Sequence, residues 1–213
     1  SMEGPTPISA LIHAATMVTA GVFMLARLSP LFEHSEVALN TIMIIGSITA
    51  LFMGLIGLVA NDIKRIIAYS TLSQLGYMVV ATSASTYAIG IFHLMTHAFF
   101  KALLFLGAGS VIMGMHHEQD IWKMGGLRKK MPITFACMLL GTLAIIGFPF
   151  FSGFYSKDLI LEAVHLSQLP ASKFAYYALL AGVFVTSLYS FRLLFVVFFG
   201  KPRMSEHDYE HVH

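Results

Sequence analysis

Three residues in one apolar run carry chemistry that hydrocarbon seldom hosts: His93, His97 and Lys101, spaced four apart. A step of four residues turns a helix by about 400°, so each group stands about 40° round from the last and about 6 Å further along. The three make a stripe about 12 Å long on one face. Imidazoles and a buried amine bind and release protons, so such a stripe can act as a relay. Fourteen residues of the segment 87–114 precede Lys101 and thirteen follow it, which puts it about 20 Å from either end. That is too far for the amine to snorkel to headgroups. A lysine at mid-membrane costs about 2.5–3.5 kcal/mol, and water, a carboxylate partner or loss of its own proton must offset that. Two other readings stand beside the relay. The histidines could be hydrogen-bonded packing residues with Lys101 paired to an acid elsewhere. They could instead hold a metal or haem, since histidines at i and i+4 suit zinc or copper. No further ligand sits at that spacing on the segment, and a cationic Lys101 one turn on would repel the ion.

A second signal follows Gly147, where Phe148-Pro149-Phe150-Phe151-Ser152-Gly153 precedes Ser156, Lys157 and Asp158. Proline removes a backbone donor and glycine permits unwinding, so the helix should break there and expose free amides and carbonyls. Broken helices are tolerated where they line a polar cavity, and in transporters they mark the ion path. The plainer alternative is a loop near the membrane surface with Lys157 in water. His13 lies near the start of the first apolar segment, with Thr16 and Thr19 at three-residue spacing. Asp62, Lys64 and Arg65 open a segment made unusually polar by Tyr69, Thr71, Ser73 and Gln74. Asp62 and Lys64 are either ordinary charged anchors or a candidate channel mouth. Arg192 sits about five residues inside the end of its segment, within snorkelling reach. His116, His117, Glu118 and Asp120 read as a solvated loop, and His207, His211 and His213 as an exposed tail.

The elements that must hold these groups are helices in lipid. Of 213 residues, 57% are hydrophobic and 11% charged, mean hydropathy is +0.76 and the net charge is +2. That excludes a soluble enzyme, a nucleic-acid binder and a disordered tail. The single cysteine, Cys137, excludes an internal disulfide framework or thiolate cluster. No phosphate-cradling glycine loop, nucleophile elbow or dinucleotide fingerprint is present, so the chain shows no means of redox chemistry or soluble catalysis. About 20 apolar residues span a bilayer. Six segments qualify or nearly do: 8–28, 37–60, 66–84, 87–114, 132 to about 164 with its interruption, and 174–199. The expected fold is an all-α membrane protein of about six transmembrane helices, one interrupted. No alternating ten-residue pattern recurs, which excludes a β-barrel.

Lys64, Arg65, Lys123, Arg128 to Lys130, Lys201 and Arg203 fall on the side where the chain starts, against Arg27 and Lys173 opposite, joined by Lys157 if it lies outside the membrane. The N-terminus is therefore expected in the cytoplasm. The first residues have no basic, apolar or cleavage region of a signal peptide. The chain reads as a fragment of a longer polypeptide, and no internal duplication is legible.

The run Glu3-Gly-Pro-Thr-Pro-Ile-Ser-Ala-Leu-Ile-His13-Ala-Ala-Thr-Met-Val-Thr-Ala-Gly21 and the pair Asp62-Ile-Lys64-Arg65 with Ala68-Tyr-Ser-Thr-Leu-Ser-Gln-Leu-Gly-Tyr77 resemble one family. It is the antiporter-like membrane subunits of proton-pumping NADH:quinone oxidoreductase, respiratory complex I. Phe92-His-Leu-Met-Thr-His-Ala-Phe-Phe-Lys-Ala-Leu-Leu-Phe105, Met124-Gly-Gly-Leu-Arg128 and Lys157 in the broken helix resemble the distal member of that set. These runs cover almost the whole chain.

The resemblance implies an antiporter-like inverted-repeat fold, with 8–28 the last helix of a first repeat and 37–199 a second five-helix repeat. It implies proton transfer through His13 as a link between half-channels, through His93, His97 and Lys101 at mid-channel, and through Lys157 with Asp158 at the outlet. Asp62 and Lys64 would match charged positions near the cytoplasmic side. The subunit would carry no cofactor and no metal, with NADH, FMN, iron–sulfur clusters and quinone used by other subunits. Its partners would be the other membrane subunits, above all the adjacent antiporter-like one, together with the lipid bilayer and protons, and no nucleic acid. The expected location is the bacterial inner membrane. Two alternatives stay open: the A subunit of a multisubunit sodium/proton antiporter, and a non-pumping structural bundle.

Overall fold

A computed structural model describes residues 3–212, and His213 of the expected tail lies outside them. Among the described residues seven longer helices form the framework: α1 (Thr6–Arg27), α2 (Glu36–Val59), α3 (Ile63–Ser83), α4 (Tyr87–Gly114), α5 (Pro132–Ile146), α6 (Ser152–Leu166) and α7 (Ser172–Phe198). Among the described residues there is no strand, only one isolated antiparallel bridge between Asp62 and Asp120. By length and composition α1, α2, α4 and α7 could each cross a membrane. The α3 helix is too polar for that test, and α5 and α6, of 15 residues each, are too short singly. They are the two halves of the interrupted segment.

Helix ends follow local chemistry. The Ser35 hydroxyl accepts from the Ala38 amide at the start of α2, and the Asp62 carboxylate accepts from the Lys64 and Arg65 amides at 2.9 and 3.0 Å at the start of α3. Proline stands in the first turn of α1 and of α5, where its missing N–H costs nothing. The α5 helix ends at Gly147, which is left-handed at φ 78° and ψ 39°, as glycine allows. The α1 helix is irregular: turns over Ser9–Thr16 run wide as a π-helix before a 3₁₀ turn. There the Thr16 hydroxyl donates to the Leu11 carbonyl at 2.8 Å and Thr19 to Thr16 at 2.7 Å, which opens the regular ladder.

The α3 helix is the centre of the bundle, with most of its length buried, whereas α2 turns Ile45, Ile48 and Phe52 outward. Small residues let α2 and α3 touch: a Cβ on Gly76 would lie 2.6 Å from the Ala50 amide nitrogen, and Ser73 donates to the Ala50 carbonyl. Apolar packing forms two clusters. One takes Ile63, Ile66 and Ile67 of α3, Leu104, Phe105, Ala108, Val111 and Ile112 of α4 and Leu193, Leu194, Val197 and Phe198 of α7. The other takes Tyr77, Val80 and Ala81 of α3, Ile160 and Val164 of α6 and Ala175 and Leu179 of α7. Between them lies a layer of buried polar side chains: Ser70, Thr71, Ser73 and Gln74 of α3, His93, Thr96, His97 and Lys101 of α4, and Ser156 with Lys157 of α6.

The tail differs from the sequence expectation. Residues Glu206–Glu210 form a helical turn, capped by Ser205, whose Tyr209 hydroxyl donates to the Gly126 carbonyl at 3.2 Å, while Val212 is buried. A local cap and an aromatic anchor fold this segment back onto the 115–131 loop, although His207 and His211 remain exposed. Arg192 also departs from the snorkelling reading. Its guanidinium donates to the carbonyls of Leu58 and Ala60 and to the Asn61 side chain at 2.7–2.8 Å. Orphan carbonyls at the end of α2 are a better partner than distant headgroups.

Candidate functional site

The three groups spaced along α4 are all fully buried and face α3, α6 and α7. The Lys101 amine donates to the Ser70 hydroxyl at 2.6 Å and to the Ile67 carbonyl at 3.2 Å. The Tyr189 hydroxyl of α7 donates to the same Ser70 oxygen at 2.9 Å and lies 3.4 Å from Thr186. Two donors thus converge on one hydroxyl, which uses both its lone pairs. Beside the amine a narrow cavity lined by Ser70, Thr142, Tyr189 and Ser190 has room for about one water. Of the three ways to offset a buried lysine, no carboxylate partner is present among the described residues, where the two ion pairs are Lys123–Glu118 and His207–Asp208.

His93 is held at both nitrogens. Nε2 donates to the Gln74 side-chain oxygen at 3.0 Å, and Ser156 of α6 donates to Nδ1 at 2.7 Å. Thr96 hydrogen-bonds the same Ser156 hydroxyl at 3.2 Å. Among the described residues His97 has no partner at either nitrogen, nor has the Gln74 amide nitrogen, although all three atoms are buried. The rings of His93 and His97 are 6.5 Å apart, and Phe100 packs edge-on to His97 at 5.6 Å. Unpaired buried donors and acceptors are costly, so this gap is the point at which the polar layer is least satisfied by protein alone.

Lys157 enters the layer from the broken helix. Its amine donates to the Ile145 carbonyl at 2.6 Å and stands 5.3 Å from the centre of the Tyr77 ring. Ile145 lies in the last turn of α5, whose carbonyls lose their helical donors at the break. Gly153 lets α6 start hard against α5, since a Cβ there would run into the Ala144 carbonyl. Phe150, between them, is left-handed at φ 74° and largely exposed. Asp158, next to Lys157, is exposed and makes no ion pair with it.

His13 lies half-buried in the wide turns of α1 and lines a pocket of about 270 Å³ with Glu3, Arg65, Tyr69 and Thr71. Among the described residues no hydrogen bond joins it to the α4 axis. Asp62 is engaged as the α3 cap, and Lys64, 4% exposed, donates to the Gly4 carbonyl. A second pocket, about 560 Å³, opens beside Asp62, Arg65, Tyr69, Glu118 and Asp120. In that loop Glu118 holds its carboxyl below the usual range, because the Asp120 amide donates to it and Lys123 stands at 3.1 Å. Among the described residues no three His, Cys, Asp or Glu side chains are placed to hold a metal ion. Of the residues named from sequence, His93, His97, Lys101 and Lys157 therefore share one buried layer, and His13, Asp62, Lys64 and Asp158 lie outside it. Ser70, Thr96, Tyr77 and Tyr189 belong to the layer but were invisible as a set. Each reads alone as an ordinary helix residue, and the four come from three separate helices.

The arrangement gathers two amines and two imidazoles, each a group able to bind and release a proton, in one buried polar layer. Comparisons with other proteins bear on that chemistry. The profile of the family described as NADH:quinone oxidoreductase/Mrp antiporter, TM, matches residues 1–196. NADH-quinone oxidoreductase subunit L of Neisseria meningitidis serogroup A is 66% identical over 95% of this chain and 30% of its own length. NADH-ubiquinone oxidoreductase chain 5 of Dictyostelium citrinum is 58% identical over the whole chain and 32% of its own. The chain thus spans about a third of the curated relatives it matches. Among solved structures, the archaeal membrane-bound sulfane sulfur reductase superposes with a TM-score of 0.83 at 26% identity, over 95% of this chain and 42% of that one. The Mrp complex of Dietzia sp. DQ12-45-1b gives 0.84 at 29%, over 91% and 22%.

Proposed function

We propose that this chain, which belongs to the NADH:quinone oxidoreductase/Mrp antiporter transmembrane family, is the proton-translocating part of an antiporter-like membrane subunit of NADH:quinone oxidoreductase. The observation that carries the reading is the buried layer itself. Two lysines, with no carboxylate partner among the described residues, and two histidines stand between apolar clusters; Ser70 holds Lys101, Ser156 and Gln74 hold His93, and the Ile145 carbonyl holds Lys157. Groups this costly to bury are retained where they bind and release protons. A proton taken up on the cytoplasmic side, by way of the Asp62 and Lys64 region, reaches Lys101 and passes by His97 and His93 to Lys157 and out. A change of nearby charge drives the transfer, because a desolvated lysine responds strongly to its neighbours. His13 links this half-channel to the one before it, and Asp158 lies at the outlet. The chain is the last helix of a first repeat, 8–28, and a second repeat, 37–199.

Quinone reduction occurs elsewhere in the complex, and NADH, FMN and iron–sulfur clusters belong to other subunits. The adjacent antiporter-like subunit is the nearest partner, and the assembly lies in a bacterial inner membrane with the first residues of this chain facing the cytoplasm. The test is Lys101→Ala in the intact complex in sealed vesicles. Proton pumping is expected to fall at least tenfold while assembly and NADH oxidation persist; unchanged pumping would overturn the relay. A purely structural bundle would tolerate Lys101→Met. A sodium/proton antiporter, the reading favoured by the likeness to the Mrp complex, would exchange sodium for protons without NADH or quinone.

A further inference from the structure

Among the described residues no carboxylate is paired with Lys157. Its amine has one hydrogen-bond acceptor, the Ile145 carbonyl at 2.6 Å, and one aromatic face, that of Tyr77 at 5.3 Å. A carbonyl in the last turn of a helix lies at the negative end of the helix dipole. An aromatic face attracts a cation within about 6 Å, and more strongly where water is excluded. Tyr77 is fully buried, so this face is as dry as any in the molecule. The ring is fixed from α7. Its hydroxyl donates to the Leu179 carbonyl at 2.7 Å, and Gly182 leaves the room, since a Cβ there would lie 2.7 Å from that hydroxyl oxygen. The same ring lies 6.5 Å from His93, tilted by 50°. One side chain therefore stands where α3, α4, α6 and α7 meet, between an imidazole and an amine.

We infer that Tyr77 is a positioning residue for proton transfer, its ring face seating the charged amine of Lys157 where a carboxylate would otherwise stand and its bond to α7 setting the approach of that amine to His93. This rests on the reading that Lys157 carries a proton. The titratable groups facing Lys157 are Tyr77 on α3 and His93, His97 and Lys101 on α4. The α5 helix contributes the Ile145 carbonyl, and α7 acts through Leu179. A face is worth most to the charged state, so losing it favours release of the proton and should alter how pumping depends on pH.

The experiment measures NADH-driven proton pumping against pH by the intact complex in sealed vesicles, with NADH oxidation and assembly followed in parallel. Tyr77→Leu is expected to lower pumping several-fold and to move the alkaline limb of the curve to lower pH, while NADH oxidation continues. Tyr77→Phe, which keeps the face and loses the hydroxyl, is expected to restore most of the loss. A wild-type curve for Tyr77→Leu overturns the inference, as does a Tyr77→Phe curve that matches it. Should Tyr77→Leu fail to assemble, Gly182→Ala crowds the hydroxyl instead. It is expected to displace the curve alone but not when combined with Tyr77→Phe, and equal displacement in both overturns the inference. Lys157→Ala separates the two readings: unchanged pumping removes the relay itself, whereas reduced pumping beside a wild-type Tyr77→Leu removes the role of Tyr77 alone.

Discussion

Ser70 takes two hydrogen bonds at once, from the Lys101 amine and the Tyr189 hydroxyl, and so couples α3, α4 and α7 through one oxygen. Replacing it by alanine leaves the amine with the Ile67 carbonyl alone and strands the tyrosine. A hydrogen bond to a charged group contributes about 1.5–3 kcal/mol, which corresponds to roughly tenfold or more in any equilibrium that requires Lys101 in its protonated form. Ser70→Ala should therefore cut proton pumping about tenfold in sealed vesicles, with assembly retained. A pumping rate within twofold of wild type would show that Ser70 does not hold the amine. Lys101 itself was legible from sequence because four-residue spacing and depth in an apolar run require no knowledge of neighbours. Its partners were not legible. Ser70 is 31 positions away and Tyr189 is 119 from Ser70, and a tyrosine within α7 reads as one more aromatic packing residue.

At the scale of elements, the interrupted segment shows how far local chemistry specifies structure. Pro149 and the flanking glycines announce a break, and α5 does stop at Gly147 and restart as α6 at Ser152. What they do not announce is how tightly the halves abut. Gly153 sits against the Ala144 carbonyl with no room for a methyl group, and one turn later Ser156 and Lys157 reach His93 and the Ile145 carbonyl. Gly153→Ala must push α6 away from α5 and carry both side chains with it. Overpacking of this kind costs about 1–3 kcal/mol. The expected result is a lower unfolding temperature of the purified complex together with loss of pumping. Normal pumping would mean that the two halves shift without disturbing Lys157. The wide turns of α1 were illegible for the opposite reason. Thr16 and Thr19 are common in helices, and only their folded-back hydrogen bonds reveal the opened ladder around His13.

Across the whole molecule, charge is sorted by depth. Of 24 Asp, Glu, Lys and Arg residues, Lys101 and Lys157 lie within the polar layer, and most others gather at the end where α2 stops and α3 begins. That end is closed by a clamp. Arg192 binds the carbonyls of Leu58 and Ala60, and Trp122 lies between the guanidinium groups of Arg192 and Arg203, at 5.6 and 5.8 Å. The Trp122 indole donates to Asn61, one residue before the Asp62 cap, and Arg203 donates to the Trp122 carbonyl at 2.9 Å. The clamp thus joins α2, α3, α7 and the 115–131 loop, while the lower-numbered apolar cluster of α3 separates it from Lys101. Its contribution should be to stability and not to proton chemistry. Arg192→Met strands two carbonyls, and charged hydrogen bonds of this kind contribute about 1.5–3 kcal/mol each, with part of that returned where water reaches the half-buried side chain. The unfolding temperature of the complex should fall by several degrees, while the pH dependence of pumping by the assembled fraction stays where it was. A displaced pH curve would mean that the clamp communicates with Lys101 through the first two turns of α3, between Asp62 and Ser70.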